Sequence, residues 1–232
     1  METLDRTWSQ TAEIAETRDR SAFLRRVYTT LSLAVLAFTC LEIFYFKSGL
    51  ALPVAQALLS VNWLLVLGAF VLVAWLARSV VAHSSDTGGQ WLGLAIYIAA
   101  ESLLFVPLLV IAEINAPGAI RSAAVITILG FGALTGIGLT TSRDYSFLRG
   151  ILMWGGAVAL LAIVGSVLFG KELGTWFSVA MIALAGASVL YDTQKILRHV
   201  PDDRAVGAAL ELFAGIALML WYVLRLFAGR RR

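Results

Sequence analysis

The sequence predicts an all-α membrane protein, a bundle of seven transmembrane helices. Three observations carry that expectation. The 232-residue chain is 59% hydrophobic and 14% charged, against about 25% charged in a soluble domain. Its mean hydropathy is +0.84. Its apolar runs are continuous, not alternating, which argues against a strand barrel. Each run is about 20 residues or longer, enough to cross a hydrocarbon core of ~30 Å as a helix.

The elements follow in order. Residues 1–26 are polar, with five basic and five acidic side chains. They read as a tail or surface helix, with a protein-docking arm as the alternative. No apolar segment follows a short basic start, so no cleaved signal peptide is expected. Seven spans come next, at 27–46, 55–77, 91–113, 117–140, 148–169, 174–197 and 205–228. Residues 27–228 thus make one membrane domain, and 229–232 a basic tail. Pro107 removes a backbone hydrogen bond inside span 3 and is a candidate kink. In span 4, Gly132 and Gly136 form a small-xxx-small face suited to close packing, inside the chain or across a dimer seam. In span 7, Gly207, Glu211 and Gly215 fall at i, i+4 and i+8. A stripe that is small, acidic and small is unsuited to lipid, so span 7 should be enclosed by its neighbours.

Lys and Arg in short loops set orientation. With the N-terminus in the cytosol, 11 basic residues lie inside and 7 outside, four of the seven at the C-terminal end. The N-terminus is therefore expected in the cytosol. An odd number of spans puts the arginine-rich C-terminus outside; a re-entrant span would keep both ends in.

Five carboxylates lie within or beside the apolar runs: Glu42, Glu101, Glu113, Asp192 and Glu211. A charge at the bilayer centre costs about 2.5–3.5 kcal/mol on insertion scales, so such groups mark proton, ion or gating sites. Asp192 and Glu211 each sit about one and a half turns from the ends of spans joined by a short loop, roughly 9 Å below the inner surface. Two acids at one depth can share a proton, because both cannot ionise cheaply in low dielectric. The alternative is that each reaches the interface alone. Arg78, at the inner end of span 2, can reach toward Asp192 or Glu211, and less easily Glu101. Glu101, near the middle of span 3, is either a neutral hydrogen-bonded acid or part of an ion path. Glu42 and Glu113 are near the outer surface, where a solvated face is expected and a cation-attracting vestibule is the sharper reading.

The remaining chemistry is sparse. Cys40 is the single cysteine and the two histidines, His83 and His199, fall in loops, too poor a set for zinc. No nucleophile, HExxH or paired-aspartate protease motif accompanies the acids, so an enzyme is not expected. No cofactor and no nucleic-acid partner is expected.

Three stretches carry a resemblance. Ser188-Val189-Leu190-Tyr191-Asp192-Thr193-Gln194, the loop Arg143-Asp144-Tyr145-Ser146-Phe147-Leu148, and the ending Leu220-Trp221-Tyr222-Val223-Leu224-Arg225-Leu226-Phe227 together resemble the transmembrane Bax inhibitor motif family over nearly the whole chain. The resemblance implies six helices around a central C-terminal helix. It implies a pH-sensitive calcium leak, as in bacterial members, and a link to cell-death suppression, as in eukaryotic ones. Some bacterial members associate with a membrane-bound protease. In the family, two aspartates in the last two spans share a proton, and a basic residue of span 2 latches one of them. Asp192 matches the first aspartate and Arg78 falls at or beside the latch. Gly215 stands where the second aspartate is expected, with Glu211 one turn earlier on the same face. The sensor is then either kept as Asp192–Glu211 or lost.

Two functions of different class follow. One is a pH-sensitive cation (calcium) leak channel of the bacterial inner membrane. The other is a membrane scaffold or regulator that binds other membrane proteins or a protease, without transport.

Overall fold

Asn62 divides the second apolar run. Its side-chain oxygen accepts the Leu64 N–H at 2.9 Å, an N-cap that starts a new helix. In the computed structural model, the run is two helices, α2 (Ala51–Ser60) and α3 (Trp63–His83). The others are α1 (Glu2–Lys47), α4 (Thr87–Asn115), α5 (Ala119–Thr140), α6 (Leu148–Leu168), α7 (Thr175–His199) and α8 (Ala205–Ala228), with a 3-10 turn at Asp202–Arg204. The structure describes residues 19–84, 86–141, 143–171 and 173–229, and the backbone alone of 2–18. Most of the expected N-terminal tail with its docking-arm alternative, and residues 230–232 of the basic tail, lie outside the described side chains.

Seven helices among the described residues are long and apolar enough to cross a membrane: α1 from Asp19, and α3 to α8. The second span therefore begins at Trp63 and not at 55. At ten residues, α2 is about 15 Å long and reaches half a bilayer. It packs Ala51 and Ala55 against Val106 and Val110 of α4. The later end of α3 at His83 changes the place of Arg78. Arg78 is not at the helix end but more than a turn inside it, about 8 Å deep. α4 starts at an N-cap, Asp86, which accepts the Gly89 N–H at 2.8 Å. It runs unbroken through Pro107.

α8 is the centre of the bundle. None of its residues from Ala205 to Ala228 is exposed. It packs against α1, α4, α5 and α7, and more lightly against α3. α6 is the outlier: it packs chiefly on α7, and Trp154 and Leu161 face outward at 77% and 72% exposure. The stripe of α8 faces protein, as its composition requires. Gly207 lies against Val81 of α3 and Gly215 against Val189 of α7. A Cβ built on Gly215 would lie 2.9 Å from Val189 Cγ2, so only glycine lets α7 and α8 come this close. Gly132 and Gly136 behave differently. Both are exposed with nothing within 4 Å of an added Cβ, so the expected intramolecular packing face is not used.

Packing reaches into the expected tail: Phe23 is fully buried, as is Val27 at the start of the first expected span. Deeper in, rings run in one connected chain across four helices. Phe70 meets Tyr97, Tyr97 meets Phe213, Phe213 meets Phe38, Phe38 meets Phe105, and Phe105 meets Trp221, which stacks on Trp63. Centroid separations run from 5.0 Å at Phe105–Trp221 to 6.3 Å at Trp63–Trp221. Such pairs contribute about 0.5–1.5 kcal/mol each beyond area burial. Lipid tails are as apolar as the helices, so contact quality of this kind holds a membrane bundle together.

Gly215→Val should destabilise the purified protein by about 1–3 kcal/mol through overpacking, read as a lower midpoint of thermal unfolding in detergent. Adding Val189→Ala removes the colliding methyl and should restore part of the loss. Equal loss in the single and double variants would show that the two helices do not meet there.

Candidate functional site

Three sequence-selected residues converge at one depth. Arg78 lies five residues before the end of α3, Asp192 seven before the end of α7, and Glu211 six into α8. At 1.5 Å per residue all three sit roughly 8–10 Å from the N-terminal face. They line a cavity of about 400 Å³ between α3, α6, α7 and α8, with Arg149, Ser188 and Gly215 among its other walls. The looseness of α6 makes this space. Arg78 and Glu211 also line a second cavity, of about 440 Å³, with Arg204, Val200 and Gly207 nearer the N-terminal face. These two side chains therefore stand between two chambers.

The partners are not those the sequence suggests most directly. Lys195 donates to both carboxylate oxygens of Glu211 at 3.0 Å. The two side chains are 39% and 32% exposed, so the pair is partly desolvated. Asp192 is half-buried, accepts a hydrogen bond from Ser188, and feels the charges of Glu211, Lys195 and Arg78. Arg78 itself lies 5.3 Å from the centre of the Tyr97 ring. Tyr97 in turn hydrogen-bonds Glu101, one turn further along α4, and Arg78 acts electrostatically on both. Glu101 is buried outside both cavities, and Tyr97 and Arg78 connect it to them. The sequence reading counts Lys195 only among the loop cations. The available signal is its spacing: three residues after Asp192, on the same face of α7. Tyr97 has the corresponding signal, four residues before Glu101.

Two further carboxylates divide. Glu113 is exposed, as a solvated face requires. Glu42 is not on such a face: it is 7% exposed and accepts the Ser102 hydroxyl at 2.8 Å. The reason is local. α1 and α4 pack together, and Ser102 supplies a donor facing α1. Oε2 of Glu42 and Oε2 of Glu101 have no partner among the described residues. Two buried acids thus sit at one level of the bundle: Glu42 of α1 on Ser102, and Glu101 of α4 one residue from that serine.

The loop after α5 is tied to the same helix turn as the cavity. Gln194 is buried. Its amide donates to the Arg143 carbonyl at 2.6 Å and accepts the Tyr145 N–H at 3.0 Å. Asp144 accepts from the Ser146 N–H and hydroxyl at 2.9 and 3.1 Å. These bonds hold its carboxyl below the usual carboxylate range. Two arginines close helix C-termini, and a third holds the loop before α7. Arg20 donates to the carbonyls of Ile196, Leu197 and Val200 at the end of α7 and pairs with Asp202 at 3.2 Å. Arg204 donates to Val81 and Ala82 at the end of α3. Arg225, on the opposite face, donates to Leu173 at 3.0 Å. Cations at helix C-termini satisfy the last carbonyls and oppose the negative dipole end. Among the described residues no three metal-ligating side chains cluster.

The comparisons with known proteins agree with this architecture. Residues 20–232 match the family model described as inhibitor of apoptosis-promoting Bax1. The match begins at Arg20, the residue that caps the end of α7. The chain is also similar to an uncharacterized protein of Pseudomonas aeruginosa, 29% identical over 220 residues and covering 92% of each chain. With seven membrane-spanning helices, the C-terminal one enclosed by its neighbours, and a family match over nearly its whole length, the chain belongs to the Bax inhibitor-1-like family of multi-pass integral membrane proteins.

Proposed function

We propose that the protein is a pH-sensitive cation leak pathway, with calcium the expected ion, in a bacterial inner membrane with its N-terminus in the cytosol. The observation that carries the reading is the pair of cavities that share Arg78 and Glu211 as walls, with Asp192 in the deeper one. A cation entering from the N-terminal face meets the outer chamber, the Arg78–Glu211 neck, and then Asp192. In the arrangement described, Arg78 and Lys195 stand at the neck, and two cationic side chains in a medium of reduced dielectric oppose a third. The deeper cavity ends at Leu218, and the chain of rings from Phe70 to Trp63 fills the centre beyond it. The arrangement is therefore read as a closed form. Opening requires α8 to move against its neighbours, and the charge state of Asp192 and Glu211 biases that movement through Lys195 and Arg78.

A second reading, a scaffold for other membrane proteins without transport, is favoured by one observation. Gly215 leaves no room for the second aspartate expected there, because Val189 occupies the space. Transport then depends on Glu211 alone as the substitute.

Calcium flux into liposomes containing the full chain, measured from about pH 5 to 8, separates the two readings. The wild-type rate should change with pH. Asp192→Asn and Glu211→Gln should each flatten the profile, and the double variant should add little. Additive effects would make the two acids separate sites; a flat wild-type profile would favour the scaffold.

Lys195→Met leaves the Glu211 carboxylate without its partner and should cost about 1–3 kcal/mol of stability, whereas Lys195→Met with Glu211→Gln should recover most of it. Thermal unfolding of the three variants measures the coupling. No recovery in the double variant would mean that the pair seen at 3.0 Å is not an energetic unit.

Gln194→Leu removes the bonds to the Arg143 carbonyl and the Tyr145 N–H, at about 0.5–1.5 kcal/mol each. Limited proteolysis should then cut the 141–147 loop faster than in the wild type. An unchanged cleavage rate would show that Gln194 does not hold the loop.

A further inference from the structure

Arg25 and Arg26 take no part in the contacts described above. Both are exposed, and neither forms an ion pair with any described residue. The acids nearest to them are already engaged, Asp202 with Arg20 at 3.2 Å and Asp203 with Arg204 at 3.8 Å. The two arginines line a cavity of about 570 Å³ at the N-terminal face, together with Thr30, Gln90, Trp91 and the paired Asp202 and Asp203. Leu33 and Trp91 line this cavity and also a neighbouring one of about 630 Å³. The neighbour is an apolar slot between α1 and α4. Its floor is Ala34, Leu94 and Ile98, all buried, and its side walls include Ala37 and Ala95. Small alanines on both helices leave the slot open.

The two cavities together have one polar end and one apolar end. The polar end holds two guanidiniums with unused donors and sits beside a half-exposed Trp91 (39%), a residue type favoured at the headgroup level. From Thr30 to Leu41 the groove runs eleven residues along α1, about 16 Å, against ~15 Å for one leaflet of hydrocarbon. An apolar groove of leaflet length that ends in two arginines with no ion pair among the described residues matches a molecule with an anionic head and an acyl chain.

We propose that this α1–α4 groove binds one anionic phospholipid from the leaflet on the N-terminal side. Arg25 and Arg26 hold the phosphate, as guanidiniums do through paired N–H donors. One acyl chain lies over Ala34 and Leu94. A zwitterionic headgroup gains less, because the carboxylates of this cavity, Asp202 and Asp203, already share their charge with Arg20 and Arg204. The site is separate from the Arg78–Asp192–Glu211 cavities and does not depend on transport.

The test uses the purified full chain in mild detergent with equal amounts of phosphatidylglycerol and phosphatidylcholine of the same acyl length. Native mass spectrometry counts the retained lipid. One phosphatidylglycerol should be retained in preference. Arg25→Gln with Arg26→Gln should lower that preference about 25-fold, at about fivefold for each basic residue near an anionic surface. Ala37→Trp, at an exposed position, should fill the slot and displace the lipid while leaving the unfolding temperature unchanged. Inorganic phosphate in large excess should not compete. Equal retention of both lipids, an unchanged preference in the arginine double variant, or undiminished binding in Ala37→Trp would each overturn the proposal. Displacement by inorganic phosphate alone would overturn it too, leaving an anion site without a lipid.

Discussion

The approach of α7 to α8 at Gly215 is the contact on which the rest of the architecture depends. A helix buried on all sides cannot hold a carboxylate unless its neighbours supply compensating groups at the same depth. The missing side chain at 215 lets Val189 seat directly on the α8 backbone. With the axes this close, the next turns toward the N-terminal face put Asp192 and Lys195 beside Glu211. Lys195 then reaches both Glu211 oxygens. A larger residue at 215 separates the helices and leaves Glu211 buried without its cation. Local composition, helix packing and electrostatics are one constraint here.

The membrane class and the spans were legible because continuous apolar runs near 20 residues have few other solutions. The enclosure of α8 was legible from its small-acidic-small stripe. Where the reading failed, a short-range polar group decided the outcome against an average over apolarity. Asn62 is a single residue in an apolar run, yet its side chain caps α3, and the register of the second span follows. Gly132 and Gly136 satisfy a packing pattern, but the α5 face that meets α7 is the one carrying Gly138, whose added Cβ would lie 2.9 Å from Thr193 Cγ2. A spacing pattern names a face without saying which neighbour claims it.

The nearness of the three side chains was partly legible, and their pairings less so. Asp192 and Glu211 stand level because helix ends fix depth, and their depth can be counted from sequence; Arg78 joins them only because α3 runs on to His83. Which cation meets which acid depends on rotation about each helix axis, and that is set by packing at distant positions. Glu42 shows the same limit. Its depth was countable, but the buried bond to Ser102 follows from α1 lying against α4, a pairing of helices far apart in the chain.

Gln194 carries a consequence for how the two ends of this region communicate. It stands two residues after Asp192 and one before Lys195, and its side chain grips the backbone of the loop between α5 and α6. A helix is stiff over a single turn, so these three residues move as one piece. Torque applied to the loop, by a bound protein or by movement of α6, turns the gripped end of α7 and carries both charges with it. The loop is in that sense a handle outside the bilayer on a charge arrangement within it.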